Sequence, residues 1–225
     1  PGLPPRRRSS QKSTVFSSFP LYYLFLVMTV YAFDFDGTIT TKDTFIEFIR
    51  FAKGDINTFA GFMLYAPILA MMKLKLYPNW KAKQQLFAHF FKGTNTEVFE
   101  TLCERFAKER ATIIRPQAFE EIRRALQAEN KVLVITASID KWVRPFFDEF
   151  GEKIQVLGTN IESKEGKITG KFISRNCYGK EKVNRLKEIF PNRNEYELIA
   201  FGDSKGDKEL LEYADKGYFK PFRGE

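Results

Sequence analysis

The sequence predicts an α/β fold: a parallel sheet with crossover helices, interrupted after its first strand by an all-helical insert. Three observations predict it. Four short runs, apolar enough to be buried on both faces, read as parallel strands. Amphipathic, helix-length sequence separates the later ones. Between the first run and the second lie about ninety residues with no strand signal.

Residues 1–27 open with a basic stretch, RRRSSQK, followed by the apolar FPLYYLFLV. That order resembles a secretory signal, yet the apolar run continues into the first strand and no A-x-A-like site precedes it. We expect 1–27 to be an extension outside the core, with Met28 as a natural start. A short membrane-proximal anchor is the second reading, since a spanning helix needs about 20 apolar residues. The first strand is TVYAFDF (29–35), which ends in carboxylates. Residues 44–112 read as helical throughout, so 42–112 is expected to be a helical cap, and 28–41 with 113–225 the core. FEEIRRALQAEN (119–130) places Phe119, Ile122 and Leu126 on one helical face. KVLVIT (131–136) and IQVLGT (154–159) are the second and third strands. SKEGKITGKF (163–172) reads as a hairpin turning at Glu165-Gly166. KEKVNRLKEIF (180–190) is a helix with Val183, Leu186, Ile189 and Phe190 on one side, and ELIAFGD (197–203) is the fourth strand.

Composition excludes several kinds of chemistry. The 225 residues are 44% hydrophobic, enough to offset the entropy of ordering a core domain with a small insert. Cys103 and Cys177 build no disulfide framework. Neither has an arginine six residues on (Glu109 and Val183 stand there), which excludes a cysteine-phosphatase loop. With His89 as the only histidine, a histidine-rich zinc site is excluded, and a serine–histidine triad would have to use that one residue. Four of the eight net positive charges are Arg6, Arg7, Arg8 and Lys12, so the rest of the chain is only mildly basic and nucleic acid is not expected. Chemistry here must run on carboxylates, lysine and hydroxyls.

DFDGTIT supplies the first of these. Asp34 and Asp36, two apart at a strand end, project to the same side. Gly37 and Thr38 follow where the chain must turn, and their amides can approach an anion. In an open parallel sheet the ligand crevice lies at the carboxyl ends of the strands. Thr136 ends the second strand, Asp203 the fourth, with Asp207 one helical turn on, and Lys180 opens a helix after a glycine. Clustered carboxylates need a divalent cation, and oxygen-only ligands select Mg²⁺. Lysine and hydroxyl donors complement phosphate oxygens. One carboxylate can attack phosphorus while another, two residues away, moves the protons.

The order DFDGTIT, VLVITAS, a lone Lys180 and GDSKGD resembles the four motifs of the haloacid-dehalogenase superfamily of phosphohydrolases, over residues 29–221. The resemblance implies a Rossmann-like core and a phosphatase. It implies Asp34 as nucleophile, Asp36 as general acid and base, and Thr136 and Lys180 as phosphate anchors. Mg²⁺ would sit on Asp34, the backbone carbonyl of Asp36, and Asp203, with Asp207 assisting. An insert directly after the first motif is similar to the helical-cap subgroup that includes phosphoserine phosphatase. That group typically carries a serine after the second aspartate, SGG at the second motif and a cap glutamate. Here stand Gly37, then Thr136-Ala137-Ser138, then Asp43. The runs APILAMMKLKL, CYGKEKVNRL and GDSKGDKELLEYAD look more like bacterial phosphatidylglycerophosphate phosphatases of the superfamily. The implied substrate is then a glycerophospholipid phosphate, with a soluble phosphomonoester such as a phospho-amino acid as the alternative. The implied setting is the cytoplasm, at the inner face of the membrane if the cap touches lipid. No protein partner is implied.

Each reading has a plainer rival. Asp34 and Asp36 could be a turn pair, Lys180 an exposed helix start, and Asp207 a carboxylate favoured near a helix N-terminus. FAGFMLYAPILAMM (59–72) reads either as a buried cap helix broken near Pro67 or as an interfacial segment whose Lys73 and Lys75 meet headgroups. His89, in FAHFF, is expected to pack rather than react. A phosphomutase shares the nucleophile, though no cap feature argues for one. A phospho-receiver would lack both the D-x-D spacing and the insert, and an idle binding domain would not need complete motifs.

Overall fold

The computed structural model describes residues 28–223; the expectations for 1–27 lie outside them. Strand β1 (Met28–Phe33) is followed by a wide turn through Phe35–Ile39, closed by the Thr40 N–H donating to the Phe35 carbonyl. Five helices come next: α1 (Thr44–Lys53), α2 (Asp55–Leu64), α3 (Ala66–Lys73), α4 (Asn79–Phe91) and α5 (Thr96–Glu109). The chain leaves the sheet at Thr40 and returns at Ile114, and those two residues form an antiparallel bridge. Helix α6 (Pro116–Gln127) leads into β2 (Lys131–Ile139), short helix α7 (Asp140–Val143), β3 (Ile154–Thr159) and the hairpin β4 (Ile161–Lys164) and β5 (Lys167–Phe172). Then come α8 (Lys180–Ile189), β6 (Tyr196–Gly202), α9 (Lys208–Tyr213) and β7 (Lys216–Phe219).

The main sheet runs β3-β2-β1-β6-β7, and each neighbouring pair is parallel. The four expected strands are its first four members. The fifth, β7, was not expected, because KGYF is exposed along its whole length and carries no buried pattern. The other four strands are covered on both faces, which is why they read as unbroken apolar runs. Phe33, Val132 and Val134 belong to the larger cluster with Ala118, Ile122 and Ala125 of α6, while Val30, Ala32 and Leu133 belong to the one with Val183 and Leu186 of α8 and Leu210 of α9. Strand β2 continues past Thr136 with a register shift against β3 between Ile135 and Ile139. Thr136, Ala137 and Ser138 therefore lie in an irregular stretch at the sheet edge, where a strand re-aims its side chains. The hairpin turns at Glu165-Gly166, both with positive φ, as an I′-type turn requires. It reaches across to the insert, where the Ile168 N–H donates to the Thr94 carbonyl and the Gly93 N–H to that of Ile168.

The insert has its own aromatic centre. Phe48 lies within 5.5 Å, ring centre to ring centre, of Phe91, Phe99, Phe106 and Trp142. His89 packs between Tyr65 and Phe90. The stretch 59–72 departs from the buried-helix reading. Its helix does break near Pro67, at Tyr65, with a 65° bend between α2 and α3. Proline has no N–H to continue the ladder, so α2 stops and α3 restarts with Pro67 in its first turn. Yet of these fourteen residues only Gly61 is buried, and α3 has no buried residue at all. Among the described residues no single helix is long and apolar enough to cross a membrane.

Candidate active site

The carboxyl ends of β1, β2 and β6 meet the start of α8 at one edge of the sheet. Asp34 follows β1 and is 5% exposed, and its backbone N–H donates to the Phe201 carbonyl of β6. Its Oδ2 accepts from Thr38 Oγ1 (3.1 Å) and its Oδ1 from Lys182 Nζ (2.5 Å). Asp36 is held by other donors. Its Oδ1 accepts from the Thr44 N–H (2.7 Å) and Thr44 Oγ1 (2.5 Å), and its Oδ2 from Thr136 Oγ1 (3.2 Å). Thr136 Oγ1 in turn accepts from the Ser138 N–H, and Ser138 Oγ lies 3.2 Å from Thr44 Oγ1. Gly37 is required directly after Asp36. Its φ is +82°, and a Cβ there would stand 2.4 Å from Asp203 Oδ2.

Asp203 and Asp207 complete the acidic edge. One carboxylate oxygen from each of Asp34, Asp203 and Asp207 lies within 4.8 Å of the others. Asp203 Oδ2 accepts from Arg223 Nη2 (2.6 Å). Asp207 is almost fully committed: its Oδ2 takes the Asp203 and Ser204 amides and the Ser204 hydroxyl, and its Oδ1 takes Lys182 Nζ (2.5 Å).

Lys180 is corrected by the structure. It is the exposed first residue of α8, and the ammonium that enters the acidic cluster is that of Lys182, 1% exposed. Two residues along a helix is a turn of about 200°, so the pair cannot share a face. The signal was present in the sequence. Lys182 precedes Leu186 by four residues and Ile189 by seven, which puts it on the apolar stripe, whereas Lys180 falls on the polar one. Lys83 was missed for a similar reason. It precedes buried Phe87 by four residues and Phe91 by eight on α4. Its Nζ donates to the Ala137 carbonyl (3.0 Å) and lies over the Phe45 ring.

The electrostatics follow from two buried acids, Asp34 and Asp207, a partly buried third, Asp203, and too few cations. Burial pushes the Asp34 carboxyl up to about 7, with Lys182 opposing and Asp207 and Asp36 adding. Burial and Asp207 raise Asp203, with Arg223 opposing. Burial disfavours ionisation of Asp207 as well, but Lys182 and the Ser204 donors outweigh it and hold this group below the usual carboxylate range. Burial would lower Lys182, yet Asp34 and Asp207 raise it above an ordinary lysine. Burial lowers Lys83, against the pull of Asp36, Asp43 and Asp34. An all-oxygen cluster with surplus negative charge fits a hard divalent cation, and Asp34, Asp203 and Asp207 are the residues that could hold one.

A cavity of about 620 Å³ opens over this edge. Asp34, Asp36, Gly37, Ala137, Lys182, Asp203 and Asp207 form its floor, and Phe62, Leu69, Met72 and Lys83 of the insert form its roof. Lys42, Arg115 and Arg223 stand around it. Asp43 lines it too, while its Oδ1 caps α1 by accepting from the Phe45 and Ile46 N–H groups. Thr38 is buried beneath Asp34, and Ser138 beneath Asp36 and Thr44, so both act on the cavity through the aspartates. A second cavity, of about 920 Å³, adjoins the first, sharing Met72, Asn79, Asn176 and Tyr178. Its walls mix Trp80, Phe172 and Ile173 with Lys73, Lys75 and Arg175.

Known proteins resemble this chain in sequence and in fold. Residues 31–212 match the model of the haloacid dehalogenase-like hydrolases. The chain is 34% identical over 195 residues to Protein CicA of Caulobacter vibrioides, covering 86% of each. A protein of unknown function from Bordetella pertussis Tohama I has a similar fold, with TM-score 0.72 and 19% identity over 83% of this chain and 86% of that one. So does a phosphoserine phosphatase captured as a phospho-aspartyl intermediate analogue, with TM-score 0.56 and 20% identity over 83% of each chain.

Proposed function

The chain belongs to the haloacid dehalogenase-like hydrolases, and from that membership we propose that it is a Mg²⁺-dependent phosphomonoester hydrolase working through a phosphoaspartyl intermediate on Asp34. The observation that carries the reading is the placement of two aspartates, 34 and 36, at one strand end with separate sets of donors. One is buried against a lysine, as suits a nucleophile. The other is aimed by Thr44 and Thr136, as suits a group that must give and take a proton.

Asp34, Asp203 and Asp207 would hold Mg²⁺, which when bound neutralises charge on the phosphoryl oxygens and keeps Asp34 ionised. An oxygen of Asp34 attacks phosphorus, and the bond from phosphorus to the leaving oxygen breaks as Asp36 passes that oxygen a proton. Water then attacks the phosphorus with Asp36 taking its proton, and the acyl-phosphate bond breaks to restore Asp34. Lys182 offers its ammonium to the phosphoryl oxygens and holds Asp34 in line. Thr136 fixes the Asp36 carboxylate. Asp207, besides assisting at the metal, orients Lys182 and the Asp203–Ser204 backbone.

The substrate we propose is a lipid phosphate of the phosphatidylglycerophosphate kind. A small soluble phosphomonoester would not need the adjoining 920 Å³ cavity. An amphiphile bearing a second anionic group would, because that cavity combines apolar walls with three cations against one acid, Glu181. The test is phosphate release, with Mg²⁺ or with EDTA, from phosphatidylglycerophosphate micelles, phosphoserine and an aryl phosphate. Asp34→Asn serves as the control, expected to lose about 10³-fold or more in turnover. Preference for the lipid supports the whole reading. Preference for phosphoserine keeps the chemistry and removes the lipid. Equal traces from wild type and Asp34→Asn would overturn the hydrolase.

A further inference from the structure

The two helices that roof the cavity also face outward, and their outer side is apolar. Eight of the fourteen large apolar side chains that stand exposed among the described residues fall between Ile56 and Trp80. Ile56 (85% exposed), Phe59 (67%) and Met63 (54%) recur at three- and four-residue spacing, on one side of α2. Leu64 (67%), Leu74 (69%) and Leu76 (73%) continue the exposure through the bend and past the end of α3. Apolar exposure this concentrated marks an interaction surface rather than ordinary scatter.

The charge pattern says what covers it. No acidic residue occurs between Asp55 and Glu97, while Lys73, Lys75 and Lys81 are exposed within that span. Apolar side chains flanked by lysines and free of acids match the chemistry of an anionic lipid surface, where the chains enter the acyl boundary and the lysines meet headgroups. The same surface on a second copy would repel it. The 65° bend splits the apolar run into two short helices, α2 and α3, neither of which is long enough by itself to cross a bilayer. We propose that the outer face of α2, α3 and the Leu74–Trp80 segment docks the protein on an anionic bilayer. Phe62, Leu69 and Met72, on the same two helices, line the cavity above Asp34, so docking brings the cavity to headgroup level. Binding is read without turnover, so its failure would leave the hydrolase reading in place.

The two tryptophans provide the probe. Trp80 is 43% exposed beside this face, and Trp142 is 0% exposed in the aromatic centre. The full chain is mixed with phosphatidylcholine vesicles, with or without phosphatidylglycerol, whose acyl chains are brominated. Cosedimentation with the anionic vesicles is expected, with quenching that disappears in Trp80→Phe. The double variant Leu64→Glu, Leu74→Glu should weaken partitioning by about tenfold or more. Lys73→Glu with Lys75→Glu should weaken it in the anionic vesicles alone. Near-ultraviolet circular dichroism matching wild type shows that the variants are folded. Failure to cosediment overturns the proposal, as does quenching that survives in Trp80→Phe. Undiminished binding of the double leucine variant also overturns it, because the contact would then lie elsewhere, residues 1–27 included.

Discussion

At the sheet edge, Asp34, Asp36, Lys182 and Asp207 are packed together and each has named partners, with Asp34, Lys182 and Asp207 at 5% exposure or less. On α2 and α3, a fourteen-residue apolar run buries only one glycine and leaves Phe59, Met63, Leu64 and Met71 exposed. The first region buries charge at a cost and compensates it with ion pairs and backbone amides. The second leaves apolar surface uncovered, which costs folding free energy that burial would otherwise contribute. Neither arrangement serves stability. The edge holds reacting groups in fixed relative positions, and the insert keeps a surface available for something outside the chain. Chemistry and access are thus divided between two regions whose substitutions should behave differently.

The sharpest test of that division compares two lysines on one helix. Lys182→Met removes the cation shared by Asp34 and Asp207, and leaves two buried carboxylates facing each other. With EDTA at neutral pH, stability should fall by about 3–5 kcal/mol, and turnover with Mg²⁺ by about 10²-fold or more. Lys180→Met, at the exposed position two residues earlier, should leave both within error. Denaturant titration and phosphate release measure the two. Equal losses from the two variants would break the assignment of Lys182 to the edge.

A smaller effect separates geometry from backbone strain. Gly37 and Gly93 both have positive φ, +82° and +85°. Alanine at either costs about 1–2 kcal/mol for that conformation. At Gly93, beside the hairpin, a Cβ meets nothing within 4 Å, so turnover should be kept. At Gly37 it meets Asp203 Oδ2 at 2.4 Å, and displacing that carboxylate by even an ångström should cost about tenfold or more in turnover. Similar melting shifts with unequal activities would support the comparison. Matching activities would mean that Asp203 is not held against Gly37 as the structure shows.

What could be read from the sequence was local. Asp34 and Asp36, Thr136, and Asp203 with Asp207 each sit at the end of an apolar run, and a parallel sheet necessarily gathers its strand ends at one edge. The lysine could not be placed that way, because a helix start offers several cations and only the helical phase distinguishes 180 from 182. Lys83 reaches the site from the insert, whose docking over the edge depends on packing between distant segments. The exposure of 59–72 was equally hidden, since an apolar run looks the same whether covered by protein or left bare. β7 escaped because its register is set by pairing with β6 and not by its own side chains.

Asp215 supplies the smallest and most exact contrast, because it lies towards the opposite edge of the same sheet. Its Oδ2 accepts from the Leu198 N–H (2.7 Å) near the start of β6 and from Arg193 Nη2 (2.6 Å). The Leu198 amide first, and Arg193 next, hold its carboxyl below the usual range, the reverse of Asp34. The consequences for pH are therefore opposite in sign. Asp34 binds its proton more tightly folded than unfolded, so with the site free of metal its ionisation erodes stability as pH rises towards 7. Asp215 binds its proton less tightly when folded, so it stabilises above the ordinary aspartate value of about 3.9, and that contribution disappears as pH falls through its lowered folded value. Asp215 is half exposed and screened, so Asp215→Asn should cost only about 0.5 kcal/mol at pH 7. The gap between wild type and variant in urea titrations should shrink steadily as pH falls below the ordinary aspartate value. A gap that widened on acidification would mean the interaction belongs to the protonated acid, and that the two edges of the sheet do not treat carboxylates differently.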